Sequence, residues 1–185
     1  TCLLDRPAFV HKVLADRTAW CIALYQRAVQ LGAELLVLGD DAGHRGGPMI
    51  SPGMWRAHIL PYHCQIVRAL DVPVIWHSDG NVEALLSMAS EAGFAGAHGL
   101  EPASGFDLAR VRREHPDLVL VGNVDVSVLL ENDLDAVRTE VSRCVAQGAV
   151  GSGYMMATCN SIFRGMRFEA VAELFRCEAE MGLYE

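Results

Sequence analysis

The chain has 185 residues, 51% hydrophobic and 21% charged, which is the composition of a globular chain long enough to bury a sizeable core. Fifteen Lys and Arg against 23 Asp and Glu leave a formal charge of -8, which argues against a nucleic-acid face. No apolar run approaches the roughly 18 residues of a membrane span. The start TCLLDRPAFVHK meets charge too soon for a signal peptide, and cysteines 2, 21, 64, 144, 159 and 177 form no CxxC pair. Reduced thiols in the cytoplasm are the expectation, in one domain over residues 1–185.

After DRP, where Asp5 is a possible cap and Pro7 suits a first helical turn, apolar residues recur at helical spacing up to Gly32. AELLVLGDD then reads as a strand running into a glycine-rich loop. Ser51-Pro52 opens a helix over roughly 52–69 that Pro61 should kink or divide. VPVIWHSDGN is the second strand and its loop, apolar without alternation, as in a strand covered on both faces. A helix over 81–92 follows, then FAGAHGLEP as the third strand, a helix over 105–114, DLVLVGNVD as the fourth, a helix over 133–147, GSGYMMATCNS as the fifth, and a final helix over about 167–181.

Strand after strand therefore ends in polar residues: Asp40 and Asp41, His77 and Asp79, Cys159 and Asn160. If the strands are parallel, these groups share one sheet edge, where α/β enzymes place their chemistry. Five strand-helix units cannot close the eight-stranded barrel such a pattern suggests, and the first helix lacks a strand before it. The fold expected is thus α/β, a partial TIM (β/α)8 barrel of about five consecutive units, lacking about three, with two edges left open; a complete five-stranded sandwich is the alternative.

In order, DRPAFVHKVL, GAELLVLGDDAGHRGGPMISPGMWRAHILPY, PVIWHSDGNVEALLSMASEAGF, GLEPASGFDLARVRREHPDLVLVGNVD and GSGYMMATCNSI resemble the uroporphyrinogen decarboxylase superfamily over nearly the whole chain. That superfamily includes the decarboxylase of haem synthesis and zinc-dependent methyltransferases acting with corrinoid proteins or thiols such as coenzyme M. The resemblance implies a (β/α)8 barrel with its cleft at the C-terminal strand ends, of which this chain looks like strands four to eight. In the methyltransferase branch the HSDG loop carries a His-x-Cys zinc pair and the last loop a further Cys. Here His77 matches the histidine, Asp79 replaces the cysteine, and Cys159 or Asn160 stands near the third position. The decarboxylase branch uses no metal; its essential aspartate and paired arginines belong to an earlier part of the barrel, and a histidine stands near the Asn160 position.

Each residue has two readings. His77 is a metal ligand or general acid, or a hydrogen-bonded loop histidine; Asp79 coordinates or orients it, or serves a turn. Cys159 supplies a thiolate or is a buried small thiol. Of the adjacent Asp40 and Asp41, Asp41 is favoured for the cleft. Arg45 is a possible anion clamp in GHRGGP. Glu101 completes the metal set or caps a turn, while Asn123, Asp125 and Asn160 line the cleft or organise loops. His11, His63 and His115 carry no constellation.

The leading expectation is zinc-assisted methyl transfer between a donor or corrinoid protein and a thiol. His77, Asp79 and Cys159 are the ligands, Glu101 a fourth, and Asp41 joins His77 and Asp79 as the catalytic set. Metal-free decarboxylation of a tetrapyrrole is the alternative, with Arg45, Glu101, Asn123 and Asn160 binding the ligand in either case. An inactive partner-binding segment is the third. Open edges also imply a homo-oligomer or association with the missing half.

Overall fold

The computed structural model describes residues 2–182. A short helix α1 (Cys2–Asp5) precedes the long α2 (Pro7–Gln30). Pro7 does stand in the first turn of α2, but Asp5 is not its cap. The N-cap is Arg6, with no side-chain hydrogen bond, because Asp5 is already taken up in the preceding turn. Strand β1 (Leu36–Gly39) leads into a hairpin of β2 (Gly43–His44) and β3 (Gly47–Pro48), formed where the sequence suggested an open glycine-rich loop.

Ser51 then caps α3 (Pro52–His58), its side chain accepting from the Met54 N–H at 3.3 Å. The helical run divides at Ile59, and α4 (Leu60–Arg68) continues with Pro61 in its first turn, where the missing N–H costs nothing. β4 (Val74–Ser78), α5 (Leu86–Ala92), β5 (Gly96–Gly99), α6 (Leu108–Glu114), β6 (Val119–Gly122), α7 (Leu134–Gly148), β7 (Tyr154–Met155) and α8 (Phe168–Met181) complete the order. Single 3-10 turns at Glu83–Leu85, Pro102–Ser104 and Val126–Leu129 fill the starts of stretches expected to be loop or α-helix.

The strands form one parallel sheet in the order β1-β4-β5-β6-β7, a partial (β/α) barrel of about five units. Side chains alternate between its faces. The row Leu38, Trp76, Ala97, Leu120 and Tyr154 packs outward beneath the helices, and every member is at most 6% exposed. That layer and the apolar faces of the helices form the core. Each fully buried large side chain contributes about 1.5–3 kcal/mol relative to exposure.

The neighbouring row, Gly39, His77, His98, Val121 and Met155, points to the concave side, which the described residues leave open. Val37 and Met155 on that side are 50% and 46% exposed. Trp20, Phe163, Phe168 and Phe175 also lie exposed on the helices and the last loop. No helix among the described residues is long and apolar enough to cross a membrane.

Candidate metal centre

The loops after β1 and β4 are pressed together at the C-terminal edge of the sheet. The Ala42 N–H donates to the Ser78 hydroxyl at 2.9 Å, the Asp79 N–H donates to Asp41 Oδ1 at 3.0 Å, and the Asn81 N–H donates to the His44 carbonyl at 2.9 Å. This zipper brings Asp41, His77 and Asp79 into one group whose ligand atoms lie within 4.8 Å of one another. His77 Nε2 is 3.8 Å from Asp41 Oδ1 and 3.7 Å from Asp79 Oδ1. The adjacent Asp40 turns to the helical side instead, where its Oδ2 lies 2.8 Å from Nε2 of the buried His63. Alternation along the strand end thus separates the two carboxylates.

The protons in this group follow from its hydrogen bonds. His98 Nε2 lies 3.2 Å from the Thr158 carbonyl, which can only accept, so that nitrogen carries hydrogen. Burial and the neighbouring His77 lower the pKa of His98, which favours its neutral form with a bare Nδ1. That Nδ1 is 2.7 Å from His77 Nδ1, so His77 is the donor between them. In neutral His77 the remaining Nε2 is then a lone pair directed at two carboxylate oxygens.

Three electron-rich atoms facing one another require a cation or a proton between them. Asp79 sharpens the point. Its Oδ2 accepts from Asn160 Nδ2 at 3.0 Å, but its Oδ1 is closed off from water and has no hydrogen-bond partner among the described residues. Burying such an oxygen unsatisfied is costly. One imidazole nitrogen and two carboxylate oxygens are zinc-compatible donors, and ligand atoms about a tetrahedral zinc sit roughly 3.3–3.6 Å apart. The two separations from His77 Nε2 to the carboxylates, 3.8 and 3.7 Å, are close to that.

Cys159 and Glu101 do not join the group. Glu101 Oε2 accepts from the Gly80 N–H at 3.2 Å and the Ser104 hydroxyl at 2.8 Å, so it fastens the loop after β5 to the loop that carries Asp79. Cys159 is 3% exposed and its thiol pKa is pushed up to about 11, chiefly by burial and also by Asp125 and Glu101. Its neighbour Asn160 is the residue of the last loop that reaches Asp79. Asn123 is fully enclosed between Leu100 and Arg143, so it holds the loop after β6 and lines no cleft. Arg45 stands exposed at the hairpin tip.

A protonated, covered thiol should react slowly. Iodoacetamide at mildly alkaline pH is expected to leave Cys159 unmodified in the folded chain and to label it after denaturation. Peptide mass mapping reads this, and rapid native labelling at Cys159 would contradict the arrangement. The group most easily missed from sequence is His98, which sits in GAHGLEP without a motif. Its only signal is a two-residue phase: it occupies the same strand position as His77, counted back from the polar loop.

Residues 1–181 match the family model described as uroporphyrinogen decarboxylase (URO-D). Uroporphyrinogen decarboxylase of Neisseria meningitidis serogroup C (strain 053442) is 33% identical over 163 residues, covering 84% of this chain and 44% of that protein. The Coxiella burnetii (strain Dugway 5J108-111) enzyme of the same name is 26% identical over 180 residues, 93% of this chain and 47% of its own length. The chain thus spans about half the length of the curated relatives it matches. Among solved structures, a methyltransferase from Methanosarcina mazei superposes with a TM-score of 0.84 at 20% identity, over 98% of this chain and 52% of that one. Dihydropteroate synthase of Xanthomonas albilineans gives a TM-score of 0.53 at 15% identity, over 88% and 59%. Both likenesses concern the fold.

Proposed function

The chain belongs to the uroporphyrinogen decarboxylase (URO-D) family, and on that premise we propose that it forms part of a metal-dependent enzyme that transfers a methyl group to a thiol. The observation that carries this reading is the orphaned Asp79 Oδ1, 3.7 Å from His77 Nε2. Zinc between them would satisfy both atoms at once.

In this reading His77 Nε2, Asp79 Oδ1 and Asp41 Oδ1 hold zinc, leaving a position for a thiol substrate. Zinc bound there supplies Lewis acidity that keeps the thiol deprotonated and nucleophilic. Asn160 and the Asp79 N–H, which bond to Asp79 Oδ2 and Asp41 Oδ1, keep both carboxylates oriented. Val121 and Met155, in the same strand row as His77, give the site an apolar wall suited to a methyl group or thioether. The methyl donor, which includes a corrinoid protein as a partner class, approaches from the open concave side. The open sheet edges support association with a second copy or with the remaining strands of a longer barrel, which the mass in solution reports.

The names of the curated relatives favour a second reading, metal-free decarboxylation of a tetrapyrrole. Its many carboxylates would meet Asp41 and Asp79 at the cleft, with Arg45 and Arg164 as the exposed cations of the neighbouring loops. Elemental analysis of the purified chain separates the two. Near-stoichiometric zinc is expected, falling to background in His77→Ala. Background zinc in both proteins would overturn the methyl-transfer reading in favour of decarboxylation.

A further inference from the structure

We infer that His98 is the positioning residue that fixes the tautomer of His77, and so decides whether the site presents a lone pair or an N–H to whatever lies between Asp41 and Asp79. The use of that lone pair for metal rests on the methyl-transfer reading above; the tautomer itself does not.

Which imidazole nitrogen carries the proton is set by the hydrogen bond its other nitrogen makes. Among the described residues the hydrogen-bond partner of His77 Nδ1 is His98 Nδ1 at 2.7 Å, with the ring centroids 4.8 Å apart. Two N–H groups cannot face each other there, so the pair admits one proton between the two nitrogens. The direction is settled two bonds away. The Thr158 carbonyl takes the Nε2 hydrogen of His98, leaving His98 with only an acceptor to offer. Sequence register makes the pair possible: His77 and His98 are direct partners in the β4–β5 ladder and point to the same face.

The choice of acceptor also suits the charge at the site. A carboxylate in place of His98 would hold His77 in the same tautomer but would add a third negative charge beside Asp41 and Asp79. A neutral imidazole orients without adding charge. The same stretch of the last loop controls the other donor, because Asn160, two residues after Thr158, bonds to Asp79 Oδ2. One short segment therefore orients His77 through His98, and Asp79 directly.

The test is a long-range proton–nitrogen NMR spectrum of the metal-free chain carrying 15N-labelled histidine, at a pH where both rings are neutral. His77 is expected as the Nδ1–H tautomer and His98 as the Nε2–H tautomer; an Nε2–H form of His77 in the unaltered chain would overturn the proposal without any variant. His98→Ala should release His77 to its Nε2–H form and weaken zinc binding by about 10- to 100-fold, the usual size of an orienting partner's effect on metal affinity. His98→Asn places a carbonyl oxygen near the vacated Nδ1 position and should restore both the tautomer and most of the affinity. An unchanged His77 tautomer in His98→Ala sinks the role of His98. Absent zinc binding in every protein, with the tautomers as stated, sinks the metal reading and leaves the positioning role intact.

Discussion

Gly80→Ala is expected to cost about 2–5 kcal/mol of stability and, on the metal-dependent reading proposed above, to abolish zinc binding in the chain that still folds. Gly80 has φ +75°, a conformation that costs an ordinary residue about 1–2 kcal/mol. A Cβ there would also lie 2.5 Å from the Gly43 carbonyl carbon and 2.6 Å from the His44 nitrogen. Those are backbone atoms that cannot swing aside, so the loops after β1 and β4 must separate, and overpacking of this kind adds about 1–3 kcal/mol. Asp79 is the preceding residue, and its N–H bond to Asp41 Oδ1 spans the same pair of loops. Gly105→Ala is the control: its φ is +86°, but the nearest atom to a new Cβ is Asn81 Nδ2 at 4.0 Å. It should lose only the conformational part, about 1–2 kcal/mol, and keep its zinc. Thermal midpoints with zinc per chain measure both, and equal losses in the two variants would mean that the loop contact does not build the site.

Part of the site is legible in the sequence because it depends on local patterns, and part is not because it depends on contacts between distant loops. Parallel strands with polar ends are a local pattern, so the sheet edge that gathers Asp41, His77 and Asp79 could be inferred from apolar runs and the residues that stop them. The division of the helix after Ser51 could be inferred too, since proline acts on its own turn. The partners of each polar side chain are another matter. Glu101 and Asn123 stand at strand ends just as His77 does, but they are consumed by backbone groups of neighbouring loops, Glu101 by Gly80 and Asn123 by Leu100. Loop-to-loop pairing depends on how far each turn leans, which strand periodicity does not encode. The last loop shows the same limit at one-residue scale. Cys159 donates its backbone N–H to Val124 and turns its thiol inward, so Asn160 faces Asp79.

Asn123→Ala is expected to destabilise the chain by about 2–4 kcal/mol while leaving the zinc content of the folded fraction unchanged. Asn123 has φ +134°, is fully buried, and ties three elements together. Its Nδ2 donates to the Leu100 carbonyl after β5, its Oδ1 accepts from Arg143 Nη2 of α7 at 2.9 Å, and its own N–H donates to the Ala157 carbonyl after β7 at 3.3 Å. Truncation leaves the Leu100 oxygen buried beside an emptied space and removes an acceptor from a guanidinium, each loss costing about 1–3 kcal/mol. Arg143 keeps its pairing with Glu140 at 2.6 Å, so its charge remains compensated and the loss stays below that of a stranded ion. Asn123→Gly removes the same side-chain hydrogen bonds but accepts the positive φ without strain, so its unfolding free energy from urea titration should exceed that of the alanine variant by about 1 kcal/mol. A residue that bound a cofactor would behave otherwise: both variants would lose ligand at unchanged stability. The ordering alanine below glycine below asparagine, with zinc constant, therefore assigns Asn123 to the frame that holds the strand ends in register and separates it from the group around His77.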